Sequence, residues 1–129
     1  MKRLSLGLLL LRVGFGGSMI YGHGWDKLIN FSARMESFPD PFHIGSPVSL
    51  ALVVFAELFC SVFVVAGLAT KFAVVPLIIN MSVALLFVHF NDPFAKQELA
   101  TLYLLSAVIL LLTGPGQYSI DGAFLKKPH

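Results

Sequence analysis

Residues 46–68 read SPVSLALVVFAELFCSVFVVAGL, an apolar run that contains a single charged residue, Glu57. A run of this length matches the roughly 20 residues that an α-helix needs to cross the hydrocarbon core of a bilayer. Its apolar residues are continuous rather than alternating, which disfavours a strand of a membrane β-barrel. Pro47 suits the first turn of a helix, and Gly67 suits its end. The stretch therefore predicts a membrane-spanning helix.

Three further apolar runs of similar length accompany this one. They predict spans at about residues 4–23, 72–90 and 97–113. The connections are short except for a polar segment over about 25–45, which we interpret as an interfacial loop with a short amphipathic helix over 28–38. The predicted fold class is all-α: an integral membrane four-helix bundle, forming one transmembrane domain over 1–129, with short connections and one longer outer loop.

The composition supports a membrane environment. Of the 129 residues, 57% are hydrophobic and only 12% are charged, whereas a soluble domain carries about a quarter charged residues. We expect four spans to leave no room for a catalytic domain outside the lipid bilayer. No basic stretch is typical of a nucleic-acid surface, so we predict no nucleic-acid partner. The single cysteine, Cys60, cannot form an internal disulfide.

Lysine and arginine counts predict the orientation of the spans. With both termini on one side, that side holds Lys2, Arg3, Lys71, Lys126 and Lys127, and the other side holds Lys27, Arg34 and Lys96. Because the cytoplasmic side of a membrane protein carries the excess of lysine and arginine, we place both termini in the cytoplasm. We therefore predict that the chain is a multi-pass protein of a bacterial cytoplasmic (inner) membrane.

Three polar residues from three predicted spans share one layer, each roughly 12 to 16 Å from the cytoplasmic end of its helix. They are Arg12, Glu57 and Asn80. A charge at the centre of a span costs on the order of 3 kcal/mol or more, so Arg12 and Glu57 are expected to face the bundle interior. Two interpretations stand side by side. The layer forms a polar functional site, or Arg12 and Glu57 form an ion pair that only fixes helix packing.

A second polar group lies at the outer ends of the spans. Its members are His23, Lys27, His89 and Glu98. Such side chains can bind a polar headgroup or relay protons, or each can be a solvated interfacial residue. His89 lies about half a turn from Asn80 around its helix, so we expect that both cannot point into one site. The histidines and Glu98 lack metal-ligand spacing, and we predict no metal site.

Four segments together resemble the DoxX family of small four-span membrane proteins. They are LRVG at 11–14, HGWDKL at 23–28, GLATK at 67–71 and GPGQYSID at 114–121. The last is the most specific, because it closely matches the C-terminal G-P-G-x-Y-S-L-D of the family. Ile120 stands where the family has leucine, and Lys71 where it has arginine.

Single residues extend the resemblance over most of the chain. They are Glu57 in the second span, Met81, Ala84 and His89 in the third, and Glu98 at the start of the fourth. The resemblance implies a bacterial inner-membrane four-helix bundle. Family members are linked to thiosulfate:quinone oxidoreduction and to redox-defence complexes, whereas distant relatives act as cargo receptors or assembly chaperones. The family alone therefore does not settle the chemistry.

Two functional hypotheses follow. In the first, the chain is a quinone-interacting or redox-complex subunit, an oxidoreductase component that acts with a partner protein. Its ligand-binding or proton-relay candidates are Arg12, His23, Lys27, Glu57, Asn80, His89 and Glu98, and none is assigned a catalytic role. In the alternative, the chain is a non-catalytic binding or assembly protein whose buried Arg12–Glu57 pair is structural. Homo-oligomerisation is compatible with both.

Overall fold

The computed structural model describes residues 2–124, and every regular element in this range is a helix. Four helices are long and apolar enough to cross a membrane, which confirms the predicted all-α membrane bundle. In chain order the helices are α1 (Lys2–Ile29), α2 (Phe31–Arg34), α3 (Ser46–Ala66), α4 (Thr70–Val88), α5 (Phe94–Thr113) and α6 (Ile120–Phe124). Lys126 and Lys127, which entered the orientation prediction, lie outside the described residues.

The long helices form a ring in which α1 packs along α3, α3 on α4, α4 on α5, and α5 on α1. Their inner faces share one apolar core that includes Phe15, Met19 and Leu77. The end of the bundle that holds Lys2 and Gly67 is called the terminal end below. The opposite end, which holds the connection between α1 and α3, is called the loop end. Large apolar side chains also cover the outside of the bundle, as lipid contact requires.

The first membrane helix continues six residues beyond the end predicted at residue 23, to Ile29. The extension follows from the sequence WDKLI, which contains no helix breaker and whose exposed apolar residues can remain in the membrane interface. After it, α2 occupies part of the predicted amphipathic segment. Phe31, Met35 and Phe38 pack against Leu50 and Val54 of α3. The outer loop is therefore folded onto the loop end of the bundle.

The turn between α3 and α4 depends on two residues with positive φ. Gly67 has φ +69°, and the Leu68 amide donates to the Phe63 carbonyl at 2.9 Å, the bond pattern of a glycine-terminated helix. Ala69 has φ +50°, a conformation that is unfavourable for a residue with a Cβ atom. Other contacts must therefore hold this turn.

The C-terminal segment supplies those contacts. The Asp121 carboxylate accepts hydrogen bonds from the Ala69 amide at 2.8 Å and the Thr70 amide at 3.0 Å. The Asp121 amide donates to the Gly67 carbonyl at 2.8 Å. A carboxylate is favourable at a helix start, where free amides and the helix dipole attract negative charge. Asp121 thus caps α4 from more than fifty positions along the chain.

Candidate functional site

Three of the four membrane helices contain a π-helical turn. The turns cover Ile20–Gly24 in α1, Phe55–Cys60 in α3 and Ala84–Val88 in α4. A π turn holds more residues per turn than an α turn, so it changes the direction in which the following side chains point. Such turns are rare and often lie at functional sites. Here they contain or flank His23, Glu57 and His89.

Glu57 is the centre of a buried polar group. Its Oε1 lies 2.5 Å from Lys27 Nζ, and its Oε2 accepts a hydrogen bond from Asn80 Nδ2 at 2.7 Å. The side chains of Lys27 and Glu57 are only 15% and 5% exposed. Each carboxylate oxygen therefore has a partner, as a charge removed from water requires. The three residues, called the polar triad below, join α1, α3 and α4.

Gly24 allows α1 to approach α3 closely enough to form this triad. A Cβ atom at residue 24 would lie 2.7 Å from the backbone carbonyl carbon and oxygen of Glu57. No side chain fits in that space, and small residues are how membrane helices reach such contact. Lys27 follows Gly24 by three residues and lies on the same face of the helix. The close approach therefore places the Lys27 ammonium beside the Glu57 carboxylate.

His23 and Tyr103 form an aromatic pair beside the triad. Their ring centroids are 5.5 Å apart in an edge-to-face arrangement, and Tyr103 also packs against Phe15 at 5.6 Å. Such contacts orient both rings. Within residues 2–124, the His23 ring and the Tyr103 hydroxyl form no hydrogen bond. Both groups are therefore free to bind a polar atom of a ligand.

A cavity of about 610 Å³ lies against these groups. His23, Lys27, Glu57, Asn80 and Tyr103 form its polar part. The rest of its wall is mostly apolar and comes from the outer loop, α3, α4 and α5, including Phe38, Phe42, Phe55, Leu52, Ile79 and Leu99. An apolar cavity with a few convergent polar groups is the usual form of a small-molecule site.

His89 and Lys96 line the same cavity at the loop end of the bundle. His89 Nδ1 lies 2.7 Å from the Asp92 carboxylate. Gln97 donates to the His89 carbonyl at 2.6 Å and so ties the start of α5 to the end of α4. The loop-end part of the cavity wall thus combines a histidine that pairs with a carboxylate and a lysine.

The sequence-based expectation that His89 and Asn80 could not serve one site was wrong, since both line this cavity. That expectation assumed regular α-helical rotation between the two residues. The π turn at Ala84–Val88 lies between them. Because a π turn holds more residues per turn, the half-turn separation of a regular α-helix does not apply here. Hydropathy does not reveal a π turn, because the residues it contains are as apolar as their neighbours.

The predicted Arg12–Glu57 ion pair was also wrong. Arg12 is buried at the terminal end, where its guanidinium donates to the Tyr118 carbonyl and contacts Gly67. The prediction placed the start of α1 and the end of α3 at the same depth in the membrane. Instead, the first turns of α1 extend past the end of α3, and residues 114–121 fill the space beside them. Arg12 therefore lies level with the end of α3 rather than with Glu57.

Of the seven predicted site residues, the structure brings five together at the cavity: His23, Lys27, Glu57, Asn80 and His89. Arg12 lies at the terminal end, and Glu98 is exposed on α5 outside the cavity wall. Sequence reasoning missed Lys96 and Tyr103. Tyr103 carried a usable signal, because it is the single aromatic residue in the run 99–113.

Comparisons with known proteins identify the family of the chain. The model of the DoxX family matches residues 7–90. A protein of Bacillus subtilis (strain 168) named "Putative oxidoreductase CatD" is 33% identical over 122 residues, which cover 93% of this chain and 88% of that protein. No solved structure matches significantly. On the family match and this relative together, the chain belongs to the DoxX family.

Proposed function

We propose that this protein binds a lipid-soluble quinone in the cavity beside Glu57 and acts as the quinone-interacting subunit of a membrane oxidoreductase. One observation carries the proposal. The buried triad and the His23–Tyr103 pair meet an apolar cavity of about 610 Å³ inside the membrane bundle. The oxidoreductase name of the Bacillus subtilis relative points to the same class of chemistry.

The chemistry of a quinone fits the wall of the cavity. Its planar ring and isoprenoid tail are apolar, and its two carbonyl oxygens accept hydrogen bonds. The Tyr103 hydroxyl, the His23 ring and the Lys27 ammonium are donors on the polar side of the cavity. Phe38, Phe42 and Phe55 supply aromatic surface on the other side. We therefore place the headgroup next to His23 and Tyr103, with the tail directed toward the lipid-exposed residues of α3 and α4.

Quinone reduction consumes two electrons and two protons and yields the quinol. In this proposal a partner reductase supplies the electrons from its own reduced cofactor. The protons enter at the loop end, where His89 pairs with Asp92, and His23 delivers them to the quinone oxygens. Glu57 stays bound by Lys27 and Asn80 and keeps its position in the wall of the cavity.

Quinone titration of the purified protein tests the proposal. We expect saturable binding of decylubiquinone or a short-chain menaquinone, and roughly tenfold weaker binding for Tyr103→Phe, which loses one hydrogen bond to the ligand. Glu98→Gln is the matched control, because Glu98 is exposed outside the cavity. The proposal fails if folded wild-type protein binds neither quinone, or if Glu98→Gln weakens binding as much as Tyr103→Phe.

A non-catalytic binding or assembly function is the second candidate. It is favoured by the full pairing of the Glu57 carboxylate, which suits a structural cross-link between helices. Trp25 and Ile29 are exposed where α1 meets the outer loop and could contact a partner protein. On this account, replacing Trp25 and Ile29 by serine abolishes partner pull-down, whereas Tyr103→Phe has no effect. Retention of every partner by the serine variant would exclude it.

The proposed membrane is the bacterial inner membrane, with both termini in the cytoplasm. Lys2, Arg3 and Lys71 lie at the terminal end of the bundle, and Lys27, Arg34 and Lys96 lie toward the loop end. Fusions of alkaline phosphatase test this orientation. We expect a fusion after Gly116 to be inactive and a fusion in the outer loop at Ser37 to be active.

A further inference from the structure

We infer that the terminal end of α1 carries a binding site for an anionic phospholipid, separate from the cavity beside Glu57. A groove of about 380 Å³ runs between the first turns of α1 and the C-terminal segment. It is lined by Lys2, Arg3, Leu6, Leu9 and Tyr118. These five residues combine a cationic end, an apolar wall and one aromatic ring.

The charge of the groove selects an anion. Lys2 and Arg3 are exposed, no acidic residue lines the groove, and neither cation forms a salt bridge within residues 2–124. A phosphodiester between them would receive hydrogen bonds from both, and arginine binds phosphate oxygens in a two-pronged geometry. Basic pockets beside membrane helices bind anionic headgroups in this way.

The apolar wall selects a ligand with acyl chains. Leu6 and Leu9 follow the two cations by one to two helical turns, so they lie deeper along the same helix. Leu6 is 50% exposed, and Leu10 next to Leu9 is 65% exposed. A free phosphate ion would leave this surface uncovered, whereas the chains of a phospholipid would cover it. Cationic and apolar parts are thus arranged in the order in which a lipid presents its headgroup and chains.

The opposite wall of the groove is fixed by internal bonds. The buried Arg12 guanidinium donates to the Tyr118 carbonyl, and Ser119 Oγ donates to the Gly116 carbonyl at 2.6 Å. A Cβ atom at Gly116 would lie 3.2 Å from Leu8 Cβ, so the C-terminal segment packs tightly on α1. Tyr118 is thereby held beside the groove, and tyrosine is favoured at the headgroup level of a bilayer.

Native mass spectrometry of the full chain tests the site with two lipids of identical acyl chains, phosphatidylglycerol and phosphatidylcholine. We expect the wild type to prefer phosphatidylglycerol. The double variant Lys2→Gln/Arg3→Gln should lose that preference by roughly twenty-fold or more, because each cation near a charged lipid contributes about a fivefold factor. Tyr118→Ala should weaken binding of both lipids and keep the preference.

Lys71→Gln is the control, because Lys71 lies at the same end of the bundle but outside the groove. An unchanged preference in this variant supports a defined site. The single variant Arg3→Gln is measured beside it. The inference is overturned if Lys71→Gln reduces the preference as much as Arg3→Gln does, since the effect would then be general charge attraction. It is also overturned if millimolar inorganic phosphate displaces phosphatidylglycerol, since the groove would then bind the free anion.

Discussion

The Lys27 ammonium lies 2.5 Å from Glu57 Oε1, and both side chains are mostly buried in a bundle whose outer surface is largely apolar. The two residues come from antiparallel helices, and Gly24 sets the distance between their backbones. Asn80 Nδ2 donates a hydrogen bond to the second carboxylate oxygen, Glu57 Oε2. This arrangement compensates a buried charge, fixes three helices relative to one another and gives the cavity its polar side.

Replacing Glu57 by glutamine should destabilise the protein, because it leaves the Lys27 ammonium buried without a counter-charge. Loss of one partner of a buried ion pair costs about 3 kcal/mol or more. Unfolding of the detergent-solubilised protein measures the change. The double variant Lys27→Met/Glu57→Gln should recover a large part of the loss. If the double variant is as unstable as the sum of the two single variants, the pair does not couple α1 to α3.

Gly24→Ala should separate α1 from α3. The added Cβ atom would meet the Glu57 backbone at 2.7 Å, and such overpacking costs about 1–3 kcal/mol. Gly22 is the matched control, because a Cβ atom there meets nothing within 4 Å. We expect a lower melting temperature and weaker quinone binding for Gly24→Ala, and wild-type values for Gly22→Ala. Equal behaviour of the two variants would contradict the close approach of the helices.

Asp121→Ala should loosen the terminal end of the bundle. The variant removes the acceptor for the Ala69 and Thr70 amides, and loss of a capping carboxylate costs about 1 kcal/mol. Limited proteolysis should then cut near the C-terminal segment more rapidly than in wild type. Glu36→Ala serves as the control in the outer loop. Unchanged proteolysis of Asp121→Ala would show that Asp121 does not hold the turn.

The outer loop should resist mild acid. Partial burial opposes ionisation of Asp40, but hydrogen bonds from Ser49, Gly45 and Ile44 outweigh it and hold the pKa of Asp40 below its ordinary value. Since the folded pKa is lowered, the ionised carboxylate stabilises the loop fully above the ordinary pKa of about 3.9. This stabilisation is lost only as the pH falls through the lower folded value.

Hydrogen exchange of the Ile44 and Gly45 amides measures this behaviour. We expect their protection to be constant between about pH 8 and pH 5, after correction for intrinsic exchange, and to fall only in stronger acid. Asp40→Ala should remove the protection at every pH. Protection that already declines between pH 7 and pH 5 would contradict the lowered pKa of Asp40.

Much of the fold follows from local signals. Pro47 and Gly67 bound α3 because each favours one end of a helix, and the apolar runs have the length of a bilayer. The shared layer of Glu57 and Asn80 also follows, because it depends only on helical rise within two consecutive antiparallel helices. The bond of 2.7 Å between them bears out that expected proximity.

The positions of Arg12 and His89 could not be obtained in the same way. Arg12 is held by the C-terminal segment, which lies more than a hundred positions away along the chain. His89 lines the cavity beyond a π turn that leaves no mark on hydropathy. Neither position can be obtained by assuming regular helices that begin at one depth.

Photo-crosslinking with an azidoquinone tests the central proposal most directly, because mass spectrometry of the labelled peptides locates the bound ring. We predict labels on the cavity walls, in the α3 segment around Phe55 and the α5 segment around Tyr103, and loss of these labels when unlabelled quinone is in excess. Labels confined to the outer lipid-facing residues, such as Leu10 and Leu112, or labels that excess quinone does not displace, would contradict quinone binding in the cavity.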